Sequence, residues 1–146
     1  MFKHILLATD GSAASITAAR LAVQLAHEQR ARLTALFVVD PYPYLGIGQA
    51  NPMGFQAYMA QAQEHAARAH AEVEALCRAQ ERAVDLQVRL IEDATPATGI
   101  VQTAVSEQAD LVVIGTHGRS GIARLMLGSV AKQVVAQSPV SVLVAR

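Results

Sequence analysis

HILLATDGS, residues His4–Ser12, decides the fold of this chain. Its first five residues are almost continuously apolar, which is the composition expected of a strand that other elements cover on both faces. Asp10 and Gly11 then suit a tight turn, and Ser12 suits the cap of a helix. The stretch therefore predicts a buried strand that leads directly into a helix.

Four further runs are typical of strands. Leu33–Val39 and Leu111–Ile114 are also nearly continuous apolar runs, so we expect both to be buried on both faces. Val84–Leu90 alternates strictly between apolar and polar residues, which indicates one solvent-facing side. Val140–Val144 alternates only in part, because Leu143 places an apolar group on its second face. The third and fifth strands are therefore predicted to lie at the edges of the sheet.

Segments with helical periodicity separate the strands. They are predicted from Ser12 or Ser15 to about Arg30, across Phe55–Leu76, from Thr95-Pro96 onward, and from about Gly128-Ser129 onward. The strict alternation of strand and helix predicts a single α/β domain over residues 1–146, with an open, parallel, five-stranded sheet in the order 3-2-1-4-5 and helices on both faces. In this Rossmann-like arrangement a ligand binds at the carboxyl ends of strands 1 and 4, where the strand order reverses.

Composition narrows the class of protein. Hydrophobic residues make up 52% of the chain, and 12 basic residues balance 12 acidic ones. A chain without net charge has no overall field that would attract nucleic acid or an anionic membrane, so we expect neither as a partner. No apolar run reaches the roughly 18 residues of a membrane span, and Cys77 is the only cysteine. These features predict a soluble, cytoplasmic protein in which Cys77 serves packing.

The loop GTHGRSGIARLMLGS, Gly115–Ser129, follows the fourth strand and reaches the predicted ligand position. Gly115 and Gly118 leave backbone N–H groups unshielded by a side chain, so a phosphate oxygen could approach them closely. The helix that begins at the end of the loop adds N–H groups and a favourable dipole, and Ser129 adds a hydroxyl donor. Cations are available from Arg119 and Arg124. The loop is predicted to hold phosphates.

Two common nucleotide motifs are absent from the sequence. A Walker A loop requires lysine after its final glycine, whereas Ser129 follows Gly128. A dinucleotide fingerprint requires three glycines in step after a strand, and Gly46 and Gly48 have no third partner.

The glycine spacing resembles that of a known family. Two residues separate Gly115 from Gly118, and nine residues separate Gly118 from Gly128, which Ser129 follows. This spacing is similar to the ATP-binding signature of the universal stress protein family. The first stretch HILLATDGS and the last stretch SPVSVLVAR resemble the first and last strands of that family. The resemblance covers the whole chain and implies the adenine nucleotide alpha hydrolase-like fold of its ATP-binding branch.

The resemblance also implies a set of nucleotide contacts. The segment after the first strand would contact the nucleoside, the main chain at the end of the second strand would contact adenine, and the glycine loop would contact ribose and phosphates. The residues implied are Ala8, Thr9, Asp10, Val38, Ile114, Gly115, His117, Gly118, Gly128, Ser129 and Val130. The charge of Arg119 adds it to this set as a phosphate-facing cation.

Several of these residues have a second interpretation. Asp10 contacts the nucleotide or a metal, or it only shapes the turn before Gly11. His117 forms an acid–base pair with Asp10, or it only donates to ribose or phosphate. His65 and His70 are five residues apart, which does not fit a zinc-binding pair, so both are expected to be solvated. A hydrolase based on a serine nucleophile would need a GxSxG elbow, which is missing.

These observations favour a regulatory binding protein over an enzyme. We expect it to bind ATP, or AMP or ADP, with Mg²⁺ held through the phosphates and Asp10, to hydrolyse ATP slowly at most, and to contain no assigned catalytic residue. The half-apolar last strand, Val140–Val144, leaves an edge that a second copy could cover, and similar proteins dimerise through it, so a homodimer is expected. Two alternatives remain: an ATP-dependent adenylyl or phosphoryl transferase, and an interaction protein that binds no nucleotide.

Overall fold

The structure, a computed structural model, describes residues 1–41, 52–116 and 127–146. Within these ranges five strands and four helices alternate along the chain. They are β1 (His4–Ala8), α1 (Ala13–Gln29), β2 (Arg32–Val38), α2 (Pro52–Arg78), β3 (Leu86–Ile91), α3 (Pro96–Ser106), β4 (Leu111–Gly115), α4 (Ser129–Gln137) and β5 (Ser141–Ala145). Every predicted strand and helix is present, with small shifts at the ends. None of the helices in the described ranges combines the length and the apolar content of a membrane span.

The strands form one parallel sheet in the order β3-β2-β1-β4-β5, which confirms the predicted order. β1 lies at the centre and pairs with β2 on one side and with β4 on the other. The strand order reverses between β1 and β4, so the carboxyl ends of these two strands flank the crevice where open α/β sheets bind ligands.

The core consists of two layers, one on each face of the sheet. On one face, Ile5 and Leu7 of β1 pack with buried residues of α1 and α2. On the other face, Leu6 and Ala8 pack with buried residues of α3 and α4. All five residues of β1 are buried, which explains why its sequence is nearly continuously apolar instead of alternating.

The two edge strands are covered less completely. In β3, Leu86 packs against the core, but Val88 and Leu90 on the same side remain 39% and 38% exposed. The predicted apolar side of this strand is therefore covered only in part. In β5, the three central residues 142–144 are half-buried, and Ser141 is exposed.

A buried polar cluster lies within the first strand, where the sequence shows an apolar run. The ring of His4 is 5% exposed, and its Nδ1 lies 3.0 Å from the carbonyl oxygen of Glu107 while its Nε2 lies 2.8 Å from Oγ1 of Thr34. The Thr34 hydroxyl also contacts Oε2 of Glu107, and Nε of Arg89 donates to Oε1 of the same carboxylate. Because unpaired polar groups are costly inside a core, this cluster stabilises the junction of β1, β2 and β3 with the end of α3.

Cys77 is buried in the layer between the sheet and helices α1 and α2. Burial, with a smaller effect of the Glu74 charge, raises the pKa of Cys77 to about 11. The thiol is therefore protonated at neutral pH, in keeping with a packing role. His70 lies on the same helix and is half-buried, and burial lowers its pKa. The prediction that His70 is solvated is wrong, because this part of α2 faces the sheet.

A close contact between β4 and α1 requires the glycine at position 115. A side-chain carbon added to Gly115 would lie 2.9 Å from the carbonyl oxygen of Ala14 and 3.0 Å from its carbonyl carbon. Both atoms belong to the backbone of the first turn of α1, which cannot move aside as a flexible side chain would. The absence of a side chain therefore allows the end of β4 to reach the start of α1.

We expect the substitution Gly115→Ala to destabilise the protein by about 1–3 kcal/mol, because the added methyl group overpacks against backbone atoms. Thermal denaturation should show a melting temperature several degrees below that of the wild type. Ser141→Ala, on the exposed end of the neighbouring strand, serves as the control and should melt like the wild type. An unchanged melting temperature for Gly115→Ala would contradict the close contact.

Candidate functional site

A cavity of about 580 Å³ opens at the carboxyl ends of β1, β2 and β4, where the strand order reverses. Each of the four helices contributes to its walls. The described residues that line it are Ala8, Thr9, Asp10, Ser12, Ser15, Leu36, Phe37, Val38, Val39, Asp40, Tyr58, Gln61, Ala62, His65, Pro96, Ile100, Ile114, Gly115, Gly128, Ser129, Val130 and Ala131.

The cavity brings together the predicted site residues that the structure describes. These are Ala8, Thr9, Asp10, Val38, Ile114, Gly115, Gly128, Ser129 and Val130. The other predicted residues, His117, Gly118 and Arg119, lie outside the described residues, as does Arg124.

The turn after β1 is held by the side chain of Asp10. Its Oδ1 accepts a hydrogen bond from the backbone N–H of Ser12 at 2.9 Å, and Gly11 between them has a φ of 76°. This left-handed conformation suits glycine because a side chain would strain it. Ser12 then caps α1 by accepting from the backbone N–H of Ser15 at 3.2 Å. Asp10 therefore shapes the turn, and it also lines the cavity.

Two buried hydroxyl groups fix this turn against α1. The backbone N–H of Thr9 donates to the carbonyl of Leu36 at 3.0 Å and continues the pairing of β1 with β2. The hydroxyl of Ser15 donates to the carbonyl of Ser12, so the hydroxyl of Thr9 is the donor in its 3.3 Å contact with Ser15. The floor of the cavity is thus rigidly connected to both the sheet and α1.

The start of α4 presents backbone donors to the cavity. The N–H of Gly128 donates to the carbonyl of Thr116 at 2.6 Å, and the first bond within the helix runs from Lys132 N–H to the Gly128 carbonyl at 3.0 Å. The N–H groups of residues 129–131 precede that bond and so have no acceptor within the helix. All three of these residues line the cavity, and the first turn of α4 contains no acidic residue. This end of the cavity favours an anion.

The side of the cavity formed by β2 and α3 is apolar. Val38 at the end of β2 faces Pro96 and Ile100 in the first turns of α3, and all three line the cavity. A side-chain carbon on Gly99 would lie 2.9 Å from Cγ2 of Val38, so the helix packs closely against the strand. This side suits a flat, apolar group.

Helix α2 supplies a wall that the sequence did not predict. The hydroxyl of Tyr58 donates to the carbonyl of Asp40 at 2.7 Å, which fastens the helix to the end of β2. Burial, followed by the charge of Asp40, raises the pKa of Tyr58, so its hydroxyl stays protonated. Gln61 and His65 also line the cavity. His65 is half-buried there, so it is less exposed than a freely solvated side chain.

The sequence predicted only the apolar face of α2 and not its polar residues at the cavity. Its apolar spacing identified one face of α2, and that face does pack on Phe37 and Val39 of the β2 end. The spacing does not show that the amino-terminal half of the helix extends past the end of the sheet. Because of that extension, the polar residues Gln61 and His65, which lie next to the apolar face, reach the cavity.

The arrangement is suited to binding and orienting a ligand that has an apolar ring at one end and negative charge at the other. Among the residues that the structure describes, no group of three or more His, Cys, Asp or Glu side chains is placed to hold a metal ion by itself.

Comparisons with known proteins agree with this fold. The model of the universal stress protein family matches residues 1–146. A universal stress protein of Thermus aquaticus is 40% identical over 147 residues, which cover 100% of both chains. The structure of universal stress protein UspA from Lactobacillus plantarum superposes with a TM-score of 0.80 at 28% identity, covering 99% of this chain and 97% of that one.

A second solved structure is a universal stress protein in complex with cAMP. It has a TM-score of 0.62 and 28% identity, and the comparison covers 99% of this chain and 97% of that chain. The family match extends over the full sequence, and the fold and strand order agree with those of its solved relatives. The chain therefore belongs to the universal stress protein family.

Proposed function

We propose that this protein binds an adenine nucleotide, ATP in the first instance, in the cavity at the carboxyl ends of β1, β2 and β4. The observation that carries the proposal is the start of α4, where residues 129–131 line the cavity and their N–H groups lack acceptors within the helix. A related protein of this family was solved in complex with cAMP, which supports an adenine nucleotide as the ligand.

The two ends of the cavity suggest the orientation of the nucleotide. Phosphates would lie at the start of α4 and beside Gly115, where His117, Gly118 and Arg119 would complete their surroundings. The base would lie between Val38 and the first turns of α3, with the ribose near the turn after β1. This orientation matches each chemical group with the surface that suits it.

A magnesium ion would be held jointly by Asp10 and the phosphates. One carboxylate oxygen of Asp10 already accepts the N–H of Ser12, and the side chain lines the cavity. Magnesium is usually bound through one or two carboxylates and the phosphates of the substrate, and this residue could provide the carboxylate.

We propose that the bound nucleotide acts as a signal and is not consumed at a significant rate. The protein would change a surface or an assembly according to its nucleotide state, as a regulatory module in the stress response. The buried hydroxyl groups of Thr9 and Ser15 bond to each other and to the backbone, so they hold the turn in place. We therefore expect these two hydroxyl groups to serve the structure of the turn and not a reaction with the nucleotide.

Nucleotide content tests the proposal directly. We expect the purified, denatured protein to release an adenine nucleotide, detected by ultraviolet absorbance and mass spectrometry, and added ATP to raise the melting temperature. Turnover of ATP should stay near background. Absence of nucleotide together with an unchanged melting temperature would favour an interaction protein that binds none, and steady turnover stimulated by a small acceptor would indicate a transferase.

The substitution Ser129→Glu should weaken ATP binding without destabilising the fold. Position 129 is exposed in the first turn of α4, where a carboxylate stabilises the helix by about 0.3–1 kcal/mol. The same charge repels phosphates, so we expect ATP affinity to fall by about tenfold or more while the melting temperature is unchanged or higher. Isothermal titration calorimetry measures the affinity.

The neutral variant Ser129→Gln is the matched control, since it adds similar bulk without charge. We expect its ATP affinity to fall less than that of Ser129→Glu, because only the hydroxyl donor is lost. If Ser129→Glu binds ATP as tightly as Ser129→Gln does, the phosphates lie elsewhere and the proposed orientation is wrong.

We further propose that two copies associate through β5. This strand pairs with β4 along one edge, and Val142, Leu143 and Val144 are half-buried within one chain. A second copy would cover the other edge and the remaining apolar surface.

Light scattering after size exclusion should give a mass of about 31 kDa, twice the 15.5 kDa of one chain. Ser141→Lys adds a charge to the exposed start of β5 and should shift the mass toward that of one chain. Ser106→Lys, at the exposed end of α3, is the control and should leave the mass unchanged. A wild-type mass of one chain at micromolar concentration would contradict the dimer.

A further inference from the structure

We propose that Gln61 on α2 recognises the base of the nucleotide and selects a 6-aminopurine over a 6-oxopurine. This inference rests on the proposed function, because it assumes that a nucleotide occupies the cavity. It assigns a specificity role to a residue that belongs neither to the glycine loop nor to the ends of the strands.

The position of Gln61 is fixed by the packing of α2. The hydroxyl of Tyr58, three residues earlier, bonds to the carbonyl of Asp40 at the end of β2. Ala66, five residues later, is 2% exposed and packs in the cluster that contains Phe37 of β2. Contacts on both sides of Gln61 thus hold the helix against the sheet, and the side chain of Gln61 lines the cavity.

The distance across the cavity places the base beside α2. β2 and β4 flank β1 on opposite sides, and neighbouring strands lie about 4.8 Å apart, so the ends of β2 and β4 are separated by about 10 Å. This separation is comparable to the length of a nucleoside. A nucleotide whose phosphates contact the start of α4, beyond β4, therefore extends its base toward the end of β2 and the wall formed by α2.

The chemistry of a carboxamide fits adenine. A glutamine side chain offers an acceptor and donors next to each other, and adenine presents an amino donor at position 6 beside the N7 acceptor. Guanine and hypoxanthine instead present a carbonyl oxygen at position 6, so two acceptors face the carboxamide. The carboxamide of Gln61 makes no hydrogen bond to another residue within the described part of the chain, so it is available for the base.

The side chains opposite Gln61 do not compete with it for the base edge. Val38, Pro96 and Ile100 are apolar, so a hydrogen bond from that wall to the base would come from the main chain at Val38. Gln61 is exposed at the mouth of the cavity, so water competes with its hydrogen bonds. We therefore expect selection at the lower end of the range for a bidentate contact, about fivefold to tenfold.

Binding of ATP and ITP tests the inference, because on the edge of the base that carries position 6 and N7 these nucleotides differ only at position 6. Isothermal titration calorimetry on the full chain should show that the wild type binds ATP about fivefold to tenfold more tightly than ITP. Gln61→Leu should weaken ATP binding by that factor, leave ITP binding unchanged and so reduce the preference. Melting curves of the variants establish that they are folded.

Gln63→Leu is the matched control on the same helix. Its side chain donates to Glu92 at 3.0 Å and does not line the cavity. This variant should retain the wild-type preference for ATP.

The possible outcomes distinguish the inference from the proposed function. Equal binding of ATP and ITP by the wild type, or a preference that is undiminished in Gln61→Leu, would overturn the role of Gln61 while nucleotide binding stands. Failure of the wild type to bind either nucleotide would overturn both.

Discussion

The close approach of Gly115 to the first turn of α1 is the constraint on which the site depends. Its Cα lies against the carbonyl group of Ala14, where a methyl group would have no room. This contact places the turn after β1 beside the segment that leaves β4, so that both face one cavity. Gly115, the first glycine of the predicted phosphate-binding loop, is therefore required for packing, whatever else it contributes. Alanine would fit at position 115 only if helix α1 moved away from β4.

The described lining of the cavity depends more on backbone groups and shape than on charged side chains. The anion-favouring end consists of N–H groups at the start of α4, and the apolar end consists of aliphatic residues from β2 and α3. A chain with balanced charge can in this way offer a site that favours an anion. Attraction arises within a few ångströms of the helix end and needs no field from the whole protein.

The fold was predictable from the sequence because burial on both faces leaves continuous apolar runs, as in Ile5–Ala8, while the edge strands alternate fully or in part. Those patterns determine the strand order, and the order determines where the cavity lies. The contributions of His4 and of the α2 wall were not predictable. His4 lies in an apolar run, and its partners Thr34 and Glu107 are distant in sequence. The spacing of apolar residues on α2 defines a face but not how far the helix extends beyond the sheet.

The burial of Cys77 gives the molecule an internal reporter of helix movement. The thiol is 4% exposed and protonated at neutral pH, so an alkylating reagent reaches it only when the last turns of α2 leave the sheet. The same helix forms a wall of the cavity with its other half. The rate of thiol labelling with and without ligand therefore measures how strongly binding at the amino-terminal half of this 27-residue helix restrains its carboxyl end.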